Sequence, residues 1–287
     1  MASIAQALLA AQTRGLERLD AQLLLLHALG RGAGERAWLM SHDTDALPPA
    51  AQIAFDSGLQ RRATGEPLAY ITGYKEFFGL ELRVDPRVLV PRPDTETLVS
   101  WALEVLRDIT HPAPCALDLG TGSGAIALAL KATRPDLQVS AIDASEDALA
   151  VALANAQRLC LEVGFQQGSW LDGVRTQYQI VVANPPYIAE ADPHLAALGH
   201  EPRQALTSGA DGLDDLRHII GEVPARLKPG GWLLLEHGHD QAAAVRDLLT
   251  NAGFQDVCSR RDLSGIERCS GGRIAPLNSI GGQPDSS

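Results

Sequence analysis

No stretch of this 287-residue chain approaches the roughly 20 apolar residues that a membrane-spanning helix needs. The run Ala21 to Leu29 is too short, and Asp20 interrupts just before it. The opening MASIAQALLAAQTRG has no basic n-region, so no export signal is expected. The four cysteines, Cys115, Cys160, Cys258 and Cys269, are scattered without Cys-x-x-Cys pairing. They read as buried or free thiols in a reducing compartment rather than a disulfide framework, and no metal site is expected. Ser41-His42-Asp43 is a run of neighbours and not a triad, because adjacency in sequence does not build one. There is no internal repeat. With 45% hydrophobic and 21% charged residues, the composition is that of an ordinary globular protein, expected in the cytoplasm and away from membranes.

What is present begins with Asn184-Pro185-Pro186-Tyr187. The apolar run Tyr178 to Ala183 before it reads as a buried parallel strand. The four residues therefore stand at its carboxyl end, where open α/β sheets bind ligands. The side-chain carbonyl of Asn184 can accept a hydrogen bond from a substrate N–H. The two prolines lack an N–H and fix φ, which stiffens the turn. Tyr187 offers a flat face for stacking. Together they suit a planar NH2 group.

A second motif names the cofactor class. Cys115 to Leu119 is a short apolar strand, Gly120-Thr121-Gly122-Ser123-Gly124 is a glycine turn, and Ala125 to Ala132 is a helix. That sequence of elements forms the nucleotide-binding half of a doubly wound fold. The spacing is G-x-G-x-G with Asp118 just before it. An acidic residue there repels a pyrophosphate but suits an amino-acid ammonium group. The next strand, Gln138 to Ile142, ends in Asp143, whose carboxylate can accept both hydroxyls of a ribose. An ammonium, a ribose and no phosphate describe S-adenosylmethionine better than a dinucleotide.

At this point the chain resembles class I methyltransferases that act on exocyclic or amide nitrogens, through DLGTGSGAIALAL, Asp143 and NPPYI. The match narrows with Arg61 to Gly73, Glu76 to Leu80, Val90 to Glu96, Glu201-Pro202, Gly209 to Leu213, Pro229 to Gly231 and Glu236-His237-Gly238. These are similar, in order, to the HemK-type protein-(glutamine) methyltransferases, over about Arg61 to Arg273. The resemblance implies a Rossmann-like, mostly parallel α/β sheet. It implies methylation of the glutamine in the Gly-Gly-Gln loop of bacterial peptide-chain release factors. It also implies that the neighbourhood of Ser169-Trp170 covers the adenine, where Trp170 either stacks on the base or packs in the core.

Adenine amino-methyltransferases use a similar motif on a flipped base and are the alternative. Charge separates the two. Residues 1–92 carry ten cationic and ten anionic side chains, whereas 93–287 carry 14 and 25, so the whole net charge of −11 lies in the second part. Apart from Arg260-Arg261 no basic cluster is present, and such a field repels a polyanion. No nucleic-acid partner is expected; release factors are the expected partner and a monomer the expected state.

The chain divides simply. Residues 1–72 show helical periodicity, with Leu16, Leu19, Leu23, Leu26 and Leu29 recurring at three- and four-residue spacing, and form a helical substrate-docking domain. Trp38-Leu39 and Ala50 to Leu59 predict two further short helices, and His27 reads as structural. Residues 73–92 predict a β-hairpin linker. Pro93 opens a helix with Asp94 and Glu96 in its first turn. Residues 93–273 form the methyltransferase domain, with further strands expected over Phe165–Gly168, Gln179–Ala183 and Trp232–Glu236. Residues 274–287 have little to bury and are expected to be disordered. Their Gly281-Gly282-Gln283 reads as a coincidence of a glycine-rich end, with a weak pseudosubstrate as the alternative. His237 reads as a solvated or hydrogen-bonded strand-end histidine rather than a base.

The expected mechanism is direct methyl transfer. Asn184 Oδ1 and the Pro185 carbonyl accept the two amide hydrogens and favour out-of-plane attack. Positioning of this kind supplies several kcal/mol, up to roughly 7–11 in the most favourable intramolecular models.

Overall fold

The computed structural model describes residues 2–276 apart from Asp108, Thr110 and Pro112, so Gly281-Gly282-Gln283 lies outside the described residues. The chain forms two compact units, one reaching Tyr74 and including Val84–Pro86, the other formed by Lys75–Arg83 and the chain from Arg87 onward.

The first unit is helical: α1 Ile4–Thr13, α2 Arg18–Ala28, α3 Arg36–Ser41, α4 Pro49–Ala63 and α5 Leu68–Thr72. Ser3 caps α1, its Oγ accepting from Gln6 N–H at 3.2 Å while Gln6 Oε1 accepts from Ser3 N–H at 2.9 Å. Pro49 opens α4 at the position where a missing N–H costs nothing. The core gathers Ile4, Leu24, Leu25, Leu26, Leu39, Leu47 and Phe55. The leucine stripe read from the sequence is off by a rotation of the helix. α2 buries Ala21, Leu24, Leu25 and Leu26, while Leu19 is 46% exposed. His27 is also exposed, so it has no core role. Four consecutive leucines carry no phase of their own, and α4, tied to α2 by Arg62 Nε donating to Asp20 Oδ2 at 2.8 Å, selects the buried face.

A two-stranded sheet, β1 Tyr74–Phe77 and β2 Leu80–Arg83, lies in the second unit apart from Tyr74. Phe77 and Leu82 are buried in the main core, and the Asn155 side chain pairs with both Arg83 N–H and Arg83 C=O. A short 3₁₀ turn over Pro93–Thr95 leads into α6 Glu96–Arg107. Then come β3 Cys115–Leu119, α7 Ala125–Thr133, β4 Gln138–Asp143, α8 Glu146–Leu159, β5 Gly164–Gln167, β6 Tyr178–Ala183, α9 Asp214–Glu222, β7 Leu227–Glu236, α10 Ala242–Asn251, β8 Gln255–Arg261 and β9 Glu267–Arg273.

The seven strands lie in the order β5-β4-β3-β6-β7-β9-β8. β5, β4, β3, β6 and β7 pair in parallel, and β9 runs antiparallel to both of its neighbours. Both faces are covered, which is why β3 and β6 are buried at every position. Ala116, Ile180, Val182 and Leu234 pack on one side with α6 and α7; Leu117, Val181, Ala183 and Leu233 pack on the other with α9 and α10. From β3 the chain winds outward through β4 and β5, then returns to place β6 on the other side of β3. That reversal is the switch point at which such sheets bind ligands.

The expected strands are present with boundaries moved by a few residues. β8 and β9 escaped sequence reading because β8 is largely exposed and β9 contains Ser270-Gly271-Gly272. Those glycines serve packing: a Cβ at Gly271 would lie 2.6 Å from Leu233 O and 2.5 Å from Leu234 Cδ2. Ile274, expected in the disordered end, is held instead: its N–H donates to Gly231 O at 2.9 Å and its side chain packs against the core, while residues 277–287 of that expected segment lie outside the described residues.

Candidate active site

Register fixes what meets at the switch point. Leu119 is level with both Ile142 and Ala183, and Ala183 with Leu235. The residues that follow these strand positions, Gly120, Asp143, Asn184 and Glu236, therefore stand in a row across four strand ends. A pocket of about 560 Å³ opens there, within the size range of small-molecule sites. Gly120, Thr121, Gly122, Ser123, Asp143, Trp170, Asn184 and Pro186 line it. Sequence reading named all eight.

The glycine turn has its shape for local reasons. Gly120, Gly122 and Gly124 adopt φ of 68°, 54° and 84°, a region that side chains disfavour. A Cβ on Gly120 would also come within 3.2 Å of the Trp170 ring. The turn is tied to the next strand by Gly120 and Thr121 N–H donating to Ile142 O at 2.8 and 2.9 Å. Asp143 Oδ2 accepts from Gly122 N–H at 2.8 Å and Oδ1 from Ser145 N–H at 2.9 Å. Burial raises its pKa against the lowering effect of those two bonds. Each oxygen keeps a lone pair for a donor in the pocket.

Asp118 does not line the pocket, and the expected direct contact with an ammonium group is revised. Its side chain is fully buried beneath the turn, where Oδ2 accepts from Thr121 Oγ1 at 2.6 Å and Ala127 N–H at 3.2 Å. Oδ1 has no partner among the described residues. Desolvation pushes its pKa up to about 7, with the Asp143 charge adding to the rise. Asp118 shapes the turn from below. Gly124, buried at the start of α7, is likewise behind the wall.

On the other side of the switch point Asn184 and Pro186 reach the pocket, whereas Pro185 and Tyr187 do not line it. The stacking face expected of Tyr187 is packed instead against the core, because the strand end turns its ring inward. Its hydroxyl reaches Glu236 Oε1 at 3.5 Å, and its carbonyl accepts from Gln241 Nε2 at 3.0 Å. Ile188 N–H donates to Leu206 O at 2.9 Å and Ser208 N–H to Ile188 O at 3.0 Å, clamping the segment after the prolines. Gly212 fits against this clamp: a Cβ there would lie 2.2 Å from Tyr187 O. Trp170, at φ 49°, donates its Nε1–H to Asp215 Oδ1 at 3.1 Å; its ring lines the pocket and also packs against the core.

Several lining residues carried no role in the sequence reading: Leu89, Arg92, Thr95, Gln204 and Asp215. Thr95 accepts from Asn184 Nδ2 at 3.2 Å. Arg92 pairs with the buried Glu201, whose Oε2 also accepts from Val90 N–H at 3.1 Å. The signal was there in Val90 to Glu96 and Glu201-Pro202, two polar segments rich in proline, but nothing local says what they face. His237 is buried and not solvated. Its Nδ1 faces Gly238 O at 2.9 Å and its Nε2 faces Ser270 Oγ at 2.7 Å, so it is a structural link, and desolvation lowers its pKa. Among the described residues no cluster of His, Cys, Asp and Glu could hold a metal ion, and no helix is long and apolar enough to cross a membrane.

A mostly parallel seven-stranded sheet with β9 reversed, a glycine turn after its central strand and a carboxylate at the next strand end define a class I methyltransferase. A methyltransferase from Pyrococcus furiosus of known structure shares the fold, with a TM-score of 0.53 at 19% identity over 77% of this chain and all of that one. Residues 3–73 match the family described as PrmC N-terminal domain, and residues 102–236 the family described as Methyltransferase small domain. Two curated relatives named release factor glutamine methyltransferase, from Bordetella pertussis and Salmonella typhimurium, are 51% and 45% identical over 91% and 90% of this chain. The alignments cover 96% and 93% of those proteins. The chain belongs to the release factor glutamine methyltransferase family.

Proposed function

We propose that the protein transfers a methyl group from S-adenosylmethionine to the side-chain amide nitrogen of the glutamine in the Gly-Gly-Gln loop of bacterial peptide-chain release factors. The observation that carries this is the placing of Asn184 in the same pocket as the glycine turn and Asp143, with its Nδ2 engaged by Thr95. Its Oδ1 has no partner among the described residues and is left to accept from an N–H in the pocket.

The residues fit the cofactor. The Asp143 oxygens have lone pairs to spare for ribose hydroxyls, the Trp170 ring is held flat at the wall, and the substituent-free Gly120 and Gly122 let a ligand approach the backbone closely. When bound, S-adenosylmethionine supplies an electrophilic methyl on a positively charged sulfur. The chain does the rest by orientation. Asn184 Oδ1 accepts a hydrogen bond from the substrate amide N–H and holds the nitrogen towards the methyl, while the Pro185 carbonyl, expected as a second acceptor, does not line the pocket. Once the new N–C bond has formed, the nitrogen gives up one of its hydrogens as a proton. Pro185 and Pro186 hold that arrangement because neither can relax about φ. Trp170 and the apolar walls exclude water, so the methyl is not lost to hydrolysis. The helical residues 1–72 contribute nothing to the pocket and serve to dock the protein substrate. A release-factor substrate places the reaction in the cytoplasm.

The test is to incubate the purified protein with labelled cofactor and a release factor, then locate the methyl by mass spectrometry. Methyl on the Gly-Gly-Gln glutamine is expected. Label carried by an adenine of added nucleic acid instead would overturn the reading.

A further inference from the structure

Trp170 is held in an unusual way. Its φ of 49° lies in the left-handed region that non-glycine residues seldom adopt, and such a backbone persists only where its surroundings fix it. Two residues earlier, Gly168 N–H donates to Asp143 O at 3.1 Å, which ties this segment to the β3–β4 side of the pocket. The ring lies so close to Gly120 that a Cβ there would stand 3.2 Å from Trp170 Cζ3. An indole has a single donor, and here Nε1–H goes to Asp215 Oδ1 at 3.1 Å.

Asp215 is itself firmly placed. It stands in the first turn of α9, 45 residues further along the chain. Its N–H, one of the helix-start donors that have no partner within the helix, donates to Oγ of the buried Ser208 at 2.8 Å. Ser208 N–H in turn donates to Ile188 O at 3.0 Å, so the carboxylate sits on the segment already clamped behind the two prolines. Among the described residues the Asp215 carboxylate has no partner besides Trp170. Both residues line the pocket.

We propose that Asp215 is a positioning residue, whose carboxylate holds the Trp170 ring in place as a wall for the planar base of S-adenosylmethionine. The proposal rests on the reading of this pocket as the cofactor site. Asp215 acts through Trp170. Without the bond the indole keeps its apolar body but loses its anchor, and a ligand must then order a ring that was free, which weakens binding. The loss falls on cofactor affinity and not on the transfer step, because neither residue is bonded to Asn184.

Asp215→Ala removes the acceptor. Calorimetry should show S-adenosylhomocysteine bound about tenfold more weakly, the loss of one hydrogen bond to a charged group. With a release factor as substrate, the KM for the cofactor should rise by a similar factor while kcat changes by less than about 2-fold, the pattern of lost binding rather than lost chemistry. Asp215→Asn keeps an oxygen that can accept from Nε1–H and should restore Kd to within about 3-fold. Trp170→Phe keeps a flat ring without the N–H and should weaken binding by about tenfold or more. Adding Asp215→Ala to it should bring no further loss, since partners in one contact are not additive. Asp215→Ser, whose short side chain cannot reach the indole, reads the same quantities if thermal melts show that the alanine variant does not fold. If Asp215→Ala binds as tightly as the original, or weakens binding equally in the Trp170→Phe background, the positioning role is overturned and the function stands. An asparagine variant as weak as the alanine one overturns it too, because charge rather than the hydrogen bond would then matter. If the unaltered protein does not bind S-adenosylhomocysteine, the cofactor reading falls first.

Discussion

The two halves of the pocket, on either side of the switch point, are built in different ways. On the β3–β4 side the carboxylate contacts of Asp118 and Asp143 are local or one strand away: Thr121 to Asp118 across three residues, Gly122 to Asp143 across 21. On the β6–β7 side the contacts span the chain: Asn184 to Thr95 across 89 residues, Tyr187 to Glu236 across 49, Arg92 to Glu201 across 109. The half proposed to hold the cofactor is therefore a backbone device, with carboxylates anchored on N–H groups. The half proposed to hold the acceptor is a side-chain device, in which groups from several loops surround one carboxamide. A backbone cradle tolerates neighbours; a side-chain network fails when one member is lost.

That difference can be broken from either side. The largest effect is expected from Asn184→Ala, which should lower kcat by about 100-fold or more, as removal of an oriented group at a reacting centre does, with cofactor affinity held within a few-fold. Near-normal turnover would remove the acceptor half from the mechanism. Asp143→Ala should act in the opposite sense, weakening S-adenosylhomocysteine binding by about 1.5–3 kcal/mol, the value of hydrogen bonds to a charged group. Calorimetry showing unchanged affinity would detach Asp143 from the cofactor half.

A pH profile sharpens the comparison. Burial pushes the Glu236 pKa up to about 7, against the lowering effects of Thr95, Arg268 and Tyr187, with Asp94 adding to the rise; the neighbouring Cys269 thiol is itself pushed up by burial. Glu236 ends the strand beside that of Asn184, so a proton gained there changes the charge next to the carboxamide. Activity should fall as pH drops through about 7, although the substrate amide does not titrate there. Glu236→Gln, which has no such proton to gain, should lose that limb. A wild-type kcat that stays level from about pH 8 to about pH 6 would count against this.

The smallest effect concerns stability. The Asp118 pKa rises from 3.8 to about 7 on folding, because burial disfavours the charge. A raised carboxyl means that the folded state holds a proton which the unfolded state has released. The associated stability is full below 3.8 and is lost as pH rises through about 7. Thermal melts of the cofactor-free protein should show Tm falling over that window, and Asp118→Asn should flatten the fall. A decline of the same size in the variant would mean that Asp118 does not contribute to it.

How much was legible follows the same division. Cys115 to Ala132 could be read because a buried strand, a turn needing positive φ and an alanine-rich helix are each written in consecutive residues. Asp143 was legible because a parallel neighbour strand ends level with the turn. Asn184-Pro185-Pro186-Tyr187 announced a stiff site but not which members face the ligand, and Tyr187 and Pro185 turn away from it. Asp118 was misjudged because a carboxylate beside a glycine turn has two sides to choose from. β8 and β9 were missed because an exposed edge and a glycine pair give no apolar period.

By itself, then, the sequence determined the order of elements, the parallel class of the sheet, the glycine cradle and the presence of a rigid Asn-Pro-Pro end. Each of these depends on neighbours within a few residues, through φ, side-chain period and helix start. Tertiary structure alone decided which face of α2 is buried, that Asp118 lies beneath the turn, and that Thr95 and Asn184 meet. Those outcomes depend on strand register and on contacts across as many as 89 residues. No local preference encodes a separation of that kind; the energy that selects it exists only once the sheet has closed.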